Sequence, residues 1–426
     1  MSRDLVVWIF QTGEPLQIDD DDSRPMRAIN LSNSLVKKGH KVVLWSSDYY
    51  HQKKMHRYGE NQTIKVSEKL EIRLLHSRGY NRNIGLGRLI DHLQLALAFT
   101  KKLKTERNVP DIAFIGYPPI EPAFVLTNWL NKRSVPMILD IKDQWPTLFI
   151  DAFPRGLKIL GRVIFWPYFY LARKAISNST GVTSMSNGFI DWIKNFHGDY
   201  DSKYYNVFPL TSPNQKVSNS EFLDAKIWWN NIDITIDNCV KICFVGSLSQ
   251  AFEFMPIKKA ALIAQAQGEN IKFIICGDGN DSKKIKNMFK DVSNVVFPGW
   301  VNRPQIEALA EMCIATIAPY KNTDNFTANI PNKIIDALSL KLPILSPLKG
   351  EVKSLIDTYE VGFTYKENSG EELFEIILKL NSDVNLQNKL SENLASLYEE
   401  RFSYEKNYEN LVNHLEKIAN LKRDLS

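Results

Sequence analysis

Ala328-Asn329-Ile330-Pro331-Asn332-Lys333-Ile334-Ile335-Asp336-Ala337-Leu338-Ser339-Leu340-Lys341-Leu342-Pro343-Ile344-Leu345 reads as a loop, the first turns of a helix, and a buried strand. Pro331 suits the first helical position, where its missing N–H is no loss and its φ is already helical. Asn329 or Ile330 then sits at or near the cap. Amides and the positive end of the helix dipole gather where Asn332 and Lys333 project, an arrangement suited to an anion such as phosphate. Lys333 and Asp336 are three residues apart and share a helix face. A nucleoside diphosphate fits this pattern, with Lys333 on phosphate and Asp336 on the ribose hydroxyls. A surface salt bridge on an ordinary helix fits it equally.

The rest of the chain supplies the setting. Its 426 residues suggest two or three domains. A hydrophobic content of 44% with 24% charged residues is that of a globular protein. The net charge of +5 is uneven: residues 1–200 carry 28 basic and 19 acidic side chains, the remainder 25 and 29. The first half is therefore the one suited to an anionic partner or membrane surface. The excess is too small to indicate nucleic acid, and no helix-turn-helix, zinc-finger or RNA-binding signature accompanies it. Cys239, Cys243, Cys276 and Cys313 lie in apolar stretches without paired spacing, so buried reduced thiols in a cytosolic protein are expected. Leu5–Phe10 is too short for a signal peptide and reads as a first strand, and no run approaches the ~20 apolar residues of a membrane span.

Strands and helices alternate through both halves, which implies parallel sheets covered on both faces. In the first half the expected strands are Leu5–Phe10, Lys41–Ser46, Glu71–His76, Asp111–Gly116, Met137–Ile141 and Gly181–Ser184. The helices between them run from about Arg24 to Lys38, Leu89–Arg107, Glu121–Lys132, Leu157–Ile176 and Gly188–Phe196. Residues 211–238 interrupt the pattern, and the polar Thr211–Lys216 reads as a linker. Alternation resumes with strands Val240–Val245, Ile271–Cys276, Val295–Phe297, Ile314–Ala318 and Pro343–Leu345. A helical tail runs from Gly370 to about Lys422. Two such units put ligands at the carboxyl ends of strands, in a cleft between domains.

Four stretches of the second half resemble the nucleotide-binding half of family-four glycosyltransferases: Phe244-Val245-Gly246-Ser247-Leu248, Ile275-Cys276-Gly277-Asp278-Gly279, Phe297-Pro298-Gly299-Trp300-Val301 and Ile330–Leu338. In the first half, Gly13-Glu14-Pro15, Gly39-His40-Lys41-Val42 and Asp140–Pro146 match more loosely. The resemblance implies the GT-B fold: two doubly wound, Rossmann-like parallel-sheet domains facing across a cleft. The acceptor domain would be 1–210 with a C-terminal helix at about 404–426, and the donor domain 211–403. It also implies a retaining, metal-independent transferase without cofactor. Such an enzyme moves a sugar from a nucleotide-diphosphate sugar to a growing glycan, lipid-linked or surface polysaccharide, at the inner face of the cell membrane.

Residue by residue, the resemblance places Gly246, Ser247, Gly277, Asn329, Ile330, Asn332, Lys333 and Asp336 around the donor, and the backbone of Trp300 and Val301 at the base. Asp336 replaces the second glutamate of the family's carboxylate pair, and the first falls at Ala328. The family's basic pair is missing, with Ser247 and Phe252 in its place, which leaves Lys333 as the cation for the diphosphate. Lys142-Asp143 stand where relatives carry His-Asp at the cleft floor, with Lys142 suited to phosphate and Asp143 to the sugar or to Lys142. Gly13 and Glu14 are expected at the reaction centre and His51 at the acceptor.

Other features have two readings. Gly277-x-Gly279 lacks the third glycine of a dinucleotide fingerprint. Asp19–Asp22 invites a metal, yet a solvated run before a helix explains it better. The aromatic stretch Arg162–Lys174, flanked by Arg155 and Lys158, is either packed in the first domain or an interfacial patch on an anionic membrane. A sugar-nucleotide 2-epimerase and a non-catalytic glycan-assembly protein on the same fold are the alternative functions.

Overall fold

The computed structural model describes residues 4–19, 25–83, 85–151, 153–198, 204–212 and 217–421. Asp20–Asp22 and most of the expected linker, residues 213–216, lie outside the described residues. The chain divides into two compact units, Met1–Pro209 with Glu405–Ser426, and Leu210–Tyr404.

The first unit is built on an eight-stranded sheet in the order Tyr205–Val207, Gly181–Ser184, Met137–Ile141, Ile112–Tyr117, Val6–Phe10, Lys41–Ser47, Leu70–Leu75, Gln62–Lys65. Every pair is parallel except the last, in which Gln62–Lys65 runs antiparallel to Leu70–Leu75. This edge strand departs from the all-parallel expectation; its alternating half-exposed residues suit a strand with one wet face. Continuous burial along Ile112–Tyr117 needs cover on both faces. On one face Trp8 packs edge-on to Trp45 at 5.4 Å, and Phe10 stacks on Phe99 of the helix Leu86–Thr105 at 5.3 Å.

One ion pair fastens the helix Arg27–Lys37 to the sheet. The Arg27 Nη2 donates to Asp140 Oδ1 at 2.9 Å, Nε lies 2.8 Å from Oδ2, and Thr183 donates to the same carboxylate at 2.7 Å. Helix Tyr404–Leu421 belongs to this unit through Glu416, which pairs with Lys38 at 2.6 Å and His40 at 2.9 Å.

The expected single helix Leu157–Ile176 is instead three pieces: a 3₁₀ turn Arg155–Leu157 and helices Lys158–Ile164 and Trp166–Asn178. Pro167 explains the break, because it has no N–H for the preceding turn and is accommodated only in a first helical turn.

The second unit carries a six-stranded parallel sheet ordered Val295–Gly299, Ile271–Cys276, Val240–Val245, Ala315–Ile317, Ile344–Ser346, Gly362–Thr364. In chain order within the unit this is 3-2-1-4-5-6, the doubly wound order of dinucleotide-binding folds. The first strand shows both covered faces: Ile242 and Phe244 join one cluster with Ile257 and Ala260, while Cys243 joins another with Trp229 and Ala308. All four cysteines are free thiols, Cys239 half-buried and the others buried.

The interruption at residues 211–238 contains the helix Asn219–Asn230, started by a reciprocal cap in which Ser218 and Glu221 bond each other's backbone.

Candidate functional site

The topological switch of the second unit falls between its first strand, Val240–Val245, and its fourth, Ala315–Ile317. Ligands of such sheets bind outside the carboxyl ends of strands at this point. The backbone there is held close by glycine. Gly277 has φ +129°, and a Cβ on it would stand 1.9 Å from the Gly246 carbonyl oxygen. A Cβ on Gly279 would stand 2.5 Å from the Leu248 carbonyl oxygen. The Gly246 amide donates to Cys276 at 3.0 Å, and the Gly277 amide to Gly299 at 2.6 Å. The glycines thus serve close approach of three strand ends.

Gly246 has a further role. Its φ is +149°, and a Cβ on it would lie 1.5 Å from Lys333 Nζ. The amine fills that space, donating to the Val245 carbonyl and lying 4.3 Å from the Phe244 ring centroid and 5.1 Å from that of Phe252. Phe244 and Phe252 therefore offer π-faces to the Lys333 cation.

Helix Asn332–Ser339 begins one residue later than expected. Pro331 is its cap, with extended backbone at φ −67°, ψ 156°, and no side chain caps the helix. Asn332 and Lys333 are then its first two residues, nearest the positive end of the dipole. Asn329 is engaged locally, its Oδ1 accepting the Ile330 amide at 2.8 Å. Asp336, one turn along, accepts from Ser212 Oγ at 3.5 Å. Trp300 is 67% exposed and Val301 buried. Ser247 is exposed on the loop after Gly246.

The first-unit candidates separate into two groups. Lys142 does not pair with Asp143 in the described contacts. Its ammonium binds the Glu14 carboxylate and donates to Gln11 Oε1 at 2.7 Å. Glu14 is buried and its Oε2 also accepts the Ala28 amide at 2.9 Å. Both charges expected at the reaction centre are therefore engaged with each other, which makes them an anchor between the first loop, the helix Arg27–Lys37 and the end of strand Met137–Ile141. Gly13 beside them is exposed, with φ +75° and open space where a side chain would be.

Asp143 and His51 belong to the second group. Burial lifts the Asp143 carboxyl to about 6, against partial relief from the Gln144 amide and Arg88. His51 Nδ1 lies 2.6 Å from the Tyr80 hydroxyl and 3.2 Å from Lys54 Nζ; burial, then Lys54 and Arg88, lower its pKa to about 4. Arg88 spans the two, its guanidinium 4.8 Å from the Trp145 ring centroid and 5.6 Å from that of Tyr80. Sequence reading did not single out Arg88, His92 or Glu121, although all three are here.

Of the aspartate run only Asp19 is described, and it is bound to Arg57 through two contacts of 2.6 Å. Among the described residues Asp48, His56 and His76 bring possible metal-ligand atoms within 4.8 Å of one another. The Asp48 carboxylate already accepts the Tyr58 and Gly59 amides at 2.8 and 3.1 Å, so a hydrogen-bonded hub accounts for the trio.

The order of strands and the glycine-floored strand ends define a doubly wound α/β protein. Residues 236–396, within the second unit, match the family model for glycosyl transferases group 1. An uncharacterized glycosyltransferase of Methanocaldococcus jannaschii is 27% identical over 188 residues, 43% of this chain; the match spans 46% of that relative's length. Among solved structures, sucrose-phosphate synthase from Thermosynechococcus elongatus superposes with a TM-score of 0.66 at 12% identity, covering 99% of each chain. Anabaena HepE in complex with UDP gives 0.65 at 14% identity, covering 97% of this chain and 99% of that one. These likenesses show the shared two-unit GT-B fold. No helix among the described residues is long and apolar enough to cross a membrane.

Proposed function

We propose that the protein transfers a sugar from a nucleotide-diphosphate sugar to a growing glycan, with retention and without a metal ion. The observation that carries this reading is the Lys333 amine set beside Gly246 at the switch point of the segment that matches glycosyl transferases group 1. Departure of a nucleoside diphosphate develops negative charge on phosphate. An ammonium and a helix N-terminus fixed beforehand stabilise that charge without reorganising. Asp336 is offered to the ribose, and the backbone at Trp300 and Val301 to the base. The complex of HepE with UDP supports a uridine nucleotide as the first donor to try.

A lipid-linked acceptor at the inner membrane face is the reading for the first unit. Its support is an exposed apolar surface on the two short helices: Ile159 is 77% exposed, Val163 68% and Trp166 63%. Arg162, Arg173 and Lys174 are exposed on the same helices. Aromatic and aliphatic side chains among cations suit the interface of an anionic bilayer.

Titration with UDP, GDP, ADP and their glucose conjugates, with and without EDTA, tests the donor site. Binding of one base series, insensitive to EDTA and weakened at least tenfold in Lys333→Ala, is expected. Absence of binding to any nucleotide overturns the reading in favour of a non-catalytic protein. A change of the donor sugar in the absence of acceptor favours the epimerase.

A further inference from the structure

Within the first unit, four polar side chains from distant segments meet, three of them with hydrogen-bonding atoms left over. His92 is on the helix Leu86–Thr105, Glu121 opens the helix Ile120–Asn131, Asp143 follows the strand Met137–Ile141, and Arg88 lies one turn before His92. Glu121 and His92 are each 5% exposed. Neither Glu121 carboxylate oxygen, nor His92 Nδ1, nor Arg88 Nε makes a hydrogen bond of good geometry among the described residues, although the Tyr168 hydroxyl interacts with the Glu121 carboxylate. The closest approach between the first two is 4.0 Å, from His92 Nδ1 to Glu121 Oε2.

Buried polar atoms are nearly always paired, and each one left unpaired costs about 1–3 kcal/mol. Four such atoms gathered in one place call for a polar partner that the chain itself does not supply. Burial raises the Glu121 carboxyl to about 7, and burial with Arg88 and His51 lowers His92 to about 3. A carboxyl near its own pKa and a neutral imidazole can each donate or accept, as sugar hydroxyls require. The cation of the cluster is different. Arg88 forms no ion pair with a described residue; it donates to the Asn83 carbonyl at 2.9 Å and otherwise lies against the Trp145 and Tyr80 rings. Lys54 and His51 stand on the same side, against Tyr80. A stacked, rigid guanidinium of this kind is suited to phosphate.

We propose that this cluster is the acceptor pocket, and that it takes a glycan end bearing phosphate or diphosphate: Arg88 holds the anionic group, and Glu121, His92 and Asp143 hold sugar hydroxyls. The inference rests on the transferase reading above and names the acceptor class for it. The phosphate has two sources, a soluble sugar phosphate or the headgroup of a lipid-linked sugar.

Calorimetric titration of the full chain distinguishes them. The probes are glucose 1-phosphate, galactose 1-phosphate, N-acetylglucosamine 1-phosphate, the three free sugars, and farnesyl-diphospho-N-acetylglucosamine in detergent. At least one phosphate-bearing probe binds, and its free sugar binds at least tenfold more weakly. Arg88→Gln weakens the bound probe tenfold or more, Arg88→Lys keeps most of the affinity, and Glu121→Gln weakens it several-fold. Lys333→Ala leaves it unchanged. Binding confined to the farnesyl probe assigns the lipid source, and binding of a free sugar phosphate the soluble one. Failure of every phosphate-bearing probe overturns the proposal, as does a probe that responds to Lys333→Ala and not to Arg88→Gln. Because Arg88 packs on two rings, Arg88→Lys and the melting temperature of each variant separate loss of the site from loss of the fold. Nucleotide binding that persists while the acceptor probes fail leaves the donor reading standing.

Discussion

Lys333 occupies the space that a side chain on Gly246 would fill: the two are 87 positions apart in sequence, and a Cβ on Gly246 would lie 1.5 Å from the lysine Nζ. The glycine after the first strand of the second unit is thus explained by a specific neighbour as well as by its φ of +149°. Gly246→Ala is expected to leave the fold intact, because the clashing atom is the end of a flexible chain. The amine is displaced from the Val245 carbonyl. Titration with nucleoside diphosphates should show affinity reduced at least tenfold, with stability lowered by about 1 kcal/mol or more from the strained φ.

Lys142 and Glu14 form the converse case, a charged pair that reads as catalytic in sequence and holds structure in the fold. Among the described residues, Lys142→Met leaves the buried Glu14 carboxylate with the Ala28 amide as its hydrogen-bond partner. Breaking one side of a buried pair costs about 3–5 kcal/mol. Urea unfolding should show a loss of that size, with most of it recovered in the double variant Lys142→Met, Glu14→Gln.

Glu121 makes stability depend on pH. Its folded pKa of about 7 exceeds the ordinary 4.5, so the folded state holds the proton longer. Its contribution is fully present below pH 4.5 and is lost as pH rises through 7. Asp143, lifted from 3.8 to about 6, acts in the same direction. His51 and His92, lowered to about 4 and 3, act in the opposite one: their contribution is present above about 6.5 and is lost as pH falls through their folded values. Glu121→Gln isolates the first term. Between pH 5 and 8 the wild type should lose about 3 kcal/mol relative to this variant, at about 1.4 kcal/mol per pKa unit. A parallel pH course of urea midpoints checks it.

The exposed apolar helices should govern membrane contact. Ile159→Glu with Val163→Glu adds two negative charges to a surface facing solvent in the isolated chain. Sedimentation with phosphatidylglycerol vesicles should fall at least tenfold for this variant, while nucleotide binding by the second unit stays the same. Equal sedimentation of the two proteins would remove the interfacial reading.

Periodicity and turn chemistry carried most of the strands and helices, because these depend on neighbours a few residues away. The misses have local causes. Ser218 and Glu221 form a helix start that was legible as S-x-x-E, yet the polar residues before it masked it. Pro167 marked the break in the aromatic helix. The antiparallel edge strand Gln62–Lys65 carries only a weak alternation, and pairing with Leu70–Leu75 organises it.

The sequence by itself determined two α/β units, the helix after Pro331 to within one residue of its start, and the glycine loops that allow strand ends to meet. These are properties of short segments: a period, a missing N–H, a missing Cβ. Only the tertiary structure decided which charges are spent and which are left over. Lys142 and Glu14 neutralise each other across 128 positions, whereas Arg88, His92 and Glu121 converge beside Asp143 with polar atoms left over, because two helices and a strand end of one unit meet there. That distinction depends on distances between residues remote in the chain, and no local pattern encodes them.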